Sequence, residues 1–173
     1  MWSSKHELKL RFCLAAITLI ALAGDLFAFQ IEGVPFVKQD LQQCGPASLA
    51  SVLSFYGVSV PLDSITEATY NEKLKGSLIT DLQNFARRLG FRTESAQGTV
   101  EKMKTLIDQK KPVIVLIDIG FWFASKPHYL VLFGYSEKGF IAHDGKKASQ
   151  GYEHSDFRRM WGKMGSPYLL VYR

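Results

Sequence analysis

Between Gln39 and Gly57 the chain carries a helix signature with almost no polar face. Ala47, Leu49, Ala50, Val52, Leu53, Phe55 and Tyr56 fall on nearly every side of it, and its only polar side chains, Ser48, Ser51 and Ser54, are small. A helix that is apolar almost all round must be buried almost all round, so the remainder of the chain has to fold over it. Pro46 suits the first helical turn, where a missing N–H costs nothing. Gly57 stands where a left-handed C-cap would end the run. At the leading tip sits Cys44. The dipole and free N–H groups of a helix start favour a thiolate, the nucleophilic form of cysteine. A free cysteine also serves as a small buried hydrophobe, and the local sequence admits both roles.

The 173 residues suit one domain with a real core. Hydrophobic residues at 47% and charged ones at 21% are ordinary globular values. Of the net charge of +5, Lys5, Lys9 and Arg11 against Glu7 contribute +2 near the N-terminus. The remaining surplus is small and scattered in pairs such as Arg87-Arg88 and Lys110-Lys111. It does not argue for nucleic acid as a partner.

Basic residues through Arg11 precede an apolar segment, Phe12 to Ala23, that closes on Ala21-Leu22-Ala23. A charged start, a short apolar core and a small-x-small exit make a secretory signal peptide over residues 1–28, cut after Ala23 or after Ala28. The run is shorter than the roughly 20 residues of a membrane span; left uncleaved, it would tether the protein. Export bears on the cysteines. Cys13 lies in the signal segment, so the mature domain, residues 29–173, keeps Cys44 alone. A single thiol in an oxidising compartment has no internal disulfide to make and becomes a candidate reactive group.

Past Gly57 the pattern alternates. Asp63 or Ser64 is a possible cap for a short helix, with a capping-box fit over Ser64 to Glu67. Ser77 opens an amphipathic helix carrying Leu78, Ile79, Leu82, Phe85, Ala86 and Leu89, stopped by Gly90. Phe91 to Glu94 reads as a strand, and Thr99 caps a helix that buries Val100, Met103, Leu106 and Ile107. Val113 to Ile119 is a β-branched apolar run, the mark of a central strand. An aromatic loop with Phe121, Trp122 and Phe123 follows, then strands over His128 to Tyr135 and Phe140 to His143. Ser155 starts a short helix through Trp161, and Tyr168 to Tyr172 closes the chain as a strand. Helices first and strands afterwards predict an α+β domain with the helices packed on an antiparallel sheet.

A cysteine nucleophile needs a base within hydrogen-bond reach, a group that orients the base, and donors for an oxyanion. His128 opens an apolar strand just after Pro127, so it stands at a sheet end. A hairpin turning near Ser136 to Gly139 brings Asp144 beside it, where a carboxylate would hold the imidazole. His143 competes as base, although neighbouring strand residues point to opposite faces. His154, just before a helix start, reads as structural. Asp118 is an acid in an apolar strand, either a paired core carboxylate or a strand-end residue near the site. Gln39 lies five residues before Cys44 and is a candidate amide donor to the oxyanion, with Gln42 and Gln43 as nearer alternatives. One cysteine and separated histidines make a poor zinc set, and the chemistry needs no cofactor.

Val34-Pro35-Phe36-Val37-Lys38-Gln39, Gln43-Cys44-Gly45-Pro46-Ala47-Ser48-Leu49-Ala50 and Phe55-Tyr56-Gly57 together resemble the nucleophile segment of family thirty-nine of the cysteine peptidases. These are papain-like bacteriocin-processing peptidases that cut after double-glycine leaders. Pro127-His128-Tyr129 with Gly134-Tyr135 is similar to the family's histidine segment, and Asp144 falls where its acid is expected. Gly76-Ser77-Leu78 and Ala86-Arg87-Arg88-Leu89-Gly90 resemble the middle of its single-domain exported members. The resemblance implies a papain-like fold with Cys44 as nucleophile, His128 as base, Asp144 as orienter and Gln39 in the oxyanion hole. Two features depart from the family. Its acid is commonly followed by proline, where this chain has Gly145, and its best-known members are fused to an ATP-driven exporter, of which this sequence has neither nucleotide-binding motif nor membrane domain.

The expected function is therefore an exported, periplasmic or extracytoplasmic thiol peptidase acting on a peptide or leader, associated with a secretion system or membrane. The same residues would also serve a thiol amidase or acyltransferase. A third reading is a peptide-binding module without turnover, gripping its partner through the aromatic loop.

Overall fold

The computed structural model describes residues 28–40, 42–121 and 123–173. The expected signal segment, Ala28 aside, lies outside the described residues.

In chain order the elements are β1 (Phe29–Gln30), α1 (Cys44–Phe55), α2 (Leu62–Thr69), β2 (Tyr70–Asn71), β3 (Gly76–Ser77), α3 (Ile79–Arg88), β4 (Arg92–Gln97), α4 (Val100–Asp108), β5 (Val113–Asp118), β6 (Pro127–Tyr135), β7 (Gly139–His143), β8 (Gln150–Glu153), α5 (His154–Gly162) and β9 (Pro167–Tyr172). The main sheet runs β4-β9-β5-β6-β7-β8, with β1 added along the far end of β6, and every pairing is antiparallel. β2 and β3 form a separate small hairpin. The expected α+β architecture is the one observed.

The organising helix is buried as its pattern requires: every residue of α1 from Gly45 to Leu53 is buried, and Leu49, Val52 and Leu53 expose nothing. Its end is closed by Gly57 at φ +79°, with the Gly57 N–H donating to Ser54 O at 2.9 Å and Val58 N–H to Leu53 O at 2.9 Å. This is the left-handed cap expected there, and only glycine takes that backbone freely. α1 and α4 pack on β6, and α5 packs on β5. The strands under them, β5 and β6, are buried nearly throughout, which is why they read as unbroken apolar runs.

Local starts differ more than element identities. Thr99 caps α4 as expected, its side chain accepting from Lys102 N at 3.1 Å. The box over Ser64 to Glu67 does not form: α2 starts one turn earlier at Leu62, after Pro61. α3 starts at Ile79, because Ser77 is taken into the β2–β3 hairpin. α5 begins at His154 without a side-chain cap. β8 is a strand that the sequence did not announce; its residues alternate half-buried and exposed at the sheet edge.

Candidate active site

Cys44 is the first residue of α1, half-buried and free. The first turn of a helix leaves its leading N–H groups without intrahelical acceptors, and no side chain caps this one. Gly45 sets how closely that turn meets the sheet. A Cβ there would lie 3.1 Å from Ser77 Cβ and 3.3 Å from both Leu82 Cδ1 and Tyr129 Cδ2, tighter than ordinary packing. Tyr129 lies directly under the nucleophile turn, with its hydroxyl donating to Ser77 O at 3.0 Å. Burial is the main reason that its phenol stands far above the usual range. The residue before it on β6 is His128.

His128 is buried at the end of β6, opposite Ile117 of β5. Its Nε2 lies 2.9 Å from the main-chain oxygen of Asp144. A carbonyl only accepts, so Nε2 carries the proton and Nδ1 presents a lone pair. Burial is the main reason that its pKa is lowered, opposed by the Asp144 carbonyl and then the Asp144 charge. The ring is therefore neutral at pH 7, the state in which it can accept a proton.

Asp144 does stand beside His128, but it reaches the ring through its carbonyl and not its carboxylate. The carboxylate is turned into its own loop, where Oδ1 accepts from Lys146 N at 2.8 Å and from Lys147 N. A short acid following a strand end readily caps a turn in this way. The next residue, Gly145, has φ +74°. That value excludes the proline common in the resembling family, whose ring holds φ near −65°.

Gln39 is brought to the same turn. Its N–H donates to Gly145 O at 2.9 Å, and its buried Oε1 has no hydrogen-bond partner. The two nearer glutamines are spent on the loop that leads to the nucleophile. Gln42, in a left-handed conformation at φ +70°, accepts from the Tyr70 hydroxyl. Gln43 Oε1 accepts from Asp40 N at 3.2 Å, and its Nε2 lies 3.5 Å from Thr66 Oγ1. The structure thus brings His128, the Asp144 main chain and Gln39 together at the turn after β7, and sets the Cys44 turn of α1 against β6 at Tyr129, the residue after His128.

The competitors resolve differently. His143 uses both nitrogens, Nδ1 accepting from Ser149 N at 3.1 Å and Nε2 donating to Val34 O at 3.0 Å. It has no lone pair left for a thiol proton. His154 packs edge-on against Phe140, with Nε2 3.1 Å from Ser136 O, as a structural residue does. Asp118 is a strand-end residue that ties the aromatic loop: Oδ1 accepts from Gly120 N at 2.7 Å and Lys126 N at 2.8 Å. Those two N–H groups hold its carboxyl below the usual range. The loop tip stays open, with Phe123 96% exposed. Sequence reasoning named Tyr129 within the histidine segment and Gly145 as a departure from the family's proline, but gave neither a role in the site. Tyr129 looked like one more apolar strand residue, and Gly145 like an ordinary turn glycine.

A family model described as the Peptidase_C39 like family matches residues 31–169. The chain belongs to the C39-like peptidase family. Among solved structures, a Bacillus anthracis protein described as a C39-like peptidase superposes with a TM-score of 0.70 at 17% identity, covering 84% of this chain and 98% of its own. The peptidase domain of Streptococcus ComA, a bifunctional ABC transporter of a quorum-sensing pathway, matches with a TM-score of 0.65 at 25% identity, over 80% of this chain and 98% of that one. A double-glycine-motif protease of an AMS/PCAT transporter, solved with its leader peptide, gives 0.66 at 25% identity, over 82% and 92%. No curated protein matches. The C39-like domain therefore has the papain-like peptidase fold, and its family supports a cysteine-peptidase type of function.

Proposed function

We propose that this C39-like domain is an exported thiol endopeptidase that cuts a peptide or leader outside the inner membrane. Cys44 Sγ attacks the scissile carbonyl and His128 Nδ1 takes its proton. The Asp144 main chain holds the ring, and the Gln39 amide with the Cys44 N–H receives the developing oxyanion. The protonated imidazole then returns its proton to the leaving amine, and water releases the acyl group by the same route. The observation that carries the reading is the Nε2 contact to Asp144 O at 2.9 Å, which leaves Nδ1 of a neutral, buried imidazole free on the strand against which the nucleophile turn packs. Partners follow from the relatives. One of them was solved with a leader peptide, and a secretion system or the membrane surface would deliver such a substrate here.

Iodoacetamide tests the thiol. In a full-length Cys13→Ser chain Cys44 is the sole cysteine. Labelling well below pH 8.5, the ordinary range of a free thiol, that slows to the ordinary profile in His128→Ala is the expected result. Cleavage of a double-glycine leader peptide by the Cys13→Ser chain but not by a Cys44→Ala variant is its counterpart. A second reading, a peptide-binding module without turnover, is favoured by the open aromatic tip at Phe121 and Phe123. Peptide binding that survives Cys44→Ala, with no cleavage by the active chain, would select it.

A further inference from the structure

The turn after β7 touches both halves of the site through two successive residues. Asp144 O takes the His128 ring, and one peptide further on Gly145 O takes the Gln39 N–H at 2.9 Å. The Gly145 Cα also lies flat against the Gln39 side chain. A Cβ at that position would overlap Oε1 and lie 2.6 Å from Cδ and 2.8 Å from Cγ. The Oε1 edge of the amide thus faces Gly145, and its Nε2 edge, the donor, faces away from the turn. With Oε1 buried and unpartnered, no hydrogen bond holds the amide plane. Its orientation rests on the main-chain tether and on the bare face of the glycine.

We propose that Gly145 is a positioning residue for oxyanion stabilisation, its missing side chain being what lets Gln39 lie with Nε2 toward the reacting carbonyl. The inference rests on the proposed peptidase reading and assigns Gly145 a role within that site. Any side chain at 145 pushes the amide out of plane, and the left-handed backbone adds strain for most residues. Asparagine tolerates that backbone better than others but still carries the intruding Cβ.

Two reagents separate the roles without knowledge of the natural substrate. Iodoacetamide alkylates Cys44 by displacement at a saturated carbon, with no oxyanion. p-Nitrophenyl acetate acylates it through a tetrahedral oxyanion: the Sγ–acyl bond forms, the ester C–O bond breaks, and p-nitrophenolate leaves with the electron pair as His128 holds the thiol proton. In the full-length Cys13→Ser chain, Gly145→Ala and Gly145→Asn are expected to slow acylation at least tenfold. Alkylation should keep its rate and pH profile. In a Gln39→Ala background the same changes should alter acylation less than about twofold. Equal loss in both reactions, unchanged acylation, or undiminished loss in the Gln39→Ala background would overturn the role of Gly145. Ordinary thiol behaviour of the unsubstituted chain in both reactions would instead overturn the peptidase reading beneath it.

Discussion

His128 and His143 stand on neighbouring strands, His143 opposite Val131, three residues along β6 from His128. They are equally hidden, 7% and 6% exposed. They differ in how many ring nitrogens the protein occupies. His143 donates from one and accepts at the other, and it packs between the rings of Phe36 and Phe133, at 5.5 and 4.3 Å. His128 has one nitrogen tied and one free, and the next residue, Tyr129, packs under the helix turn that carries the thiol. Burial does not tell these two apart, but the hydrogen-bond inventory does; His154, whose Nδ1 is also unpartnered, is set apart by its place against Phe140 at the start of α5.

The largest expected effect breaks the pair apart. His128→Ala should lower peptide cleavage by about 10³-fold or more, since it removes the general base, while its thermal midpoint falls less than that of His143→Ala because only one partner, Asp144 O, is stranded. His143→Ala should do the reverse. It strands the buried Val34 O, frees the Ser149 N–H and leaves a cavity between two aromatic rings, costing about 3 kcal/mol, while Cys44 in the folded fraction keeps its acid-shifted alkylation. Thermal melts and iodoacetamide profiles of both variants measure this. If His143→Ala loses the acid-shifted alkylation and His128→Ala keeps it, the two roles are exchanged.

A smaller effect sharpens the account of what holds His128. Were the carboxylate of Asp144 the orienting group, its replacement by an amide would leave the wrong tautomer, with losses near 10⁴-fold. Here the carbonyl orients the ring, and the carboxylate caps Lys146 N and Lys147 N. Asparagine keeps an oxygen for that cap and leaves the main chain in place. Only the Asp144 charge, a lesser influence favouring protonated His128, disappears. Asp144→Asn should therefore cost less than about tenfold in kcat/KM, and a loss of three or more decades would return the role to the carboxylate.

The same residues show what the sequence could carry. α1 was legible because an all-round apolar pattern and a terminal glycine leave one solution, and β5 and β6 because buried strands are written as apolar runs. The placement of His128 near Asp144 followed from hairpin arithmetic. Which atoms of Asp144 would face the ring did not, because a one-residue rotation at a strand end swaps carbonyl for carboxylate with no change in pattern. Spacing alone did not separate Gln39 from Gln42 and Gln43; the family resemblance pointed to Gln39, and in the fold Tyr70 and Asp40 occupy the other two. The failed cap at Ser64 and the shifted start of α3 have a similar cause: Pro61 and the β2–β3 hairpin, tertiary or neighbouring features, overrode a local signal.

The smallest effect concerns pH. Burial lowers the pKa of both His128 and His154 in the folded chain, whereas the unfolded chain titrates them near 6.5. As pH falls through that value, the unfolded state takes up protons that the folded state refuses. Stability is thus complete above about pH 6.5 and declines toward the lower folded values. Around His128 the charges of Lys146 and Lys126 add to the lowering, while Asp144 opposes it. The thermal midpoint should fall between pH 7 and pH 5, a window above the usual carboxylate titrations, and the slope should be shallower in His128→Gln. An unchanged slope would mean that His128 is protonated as easily in the fold as out of it, and the neutral, proton-accepting imidazole that sets it apart from His143 would have to be given up.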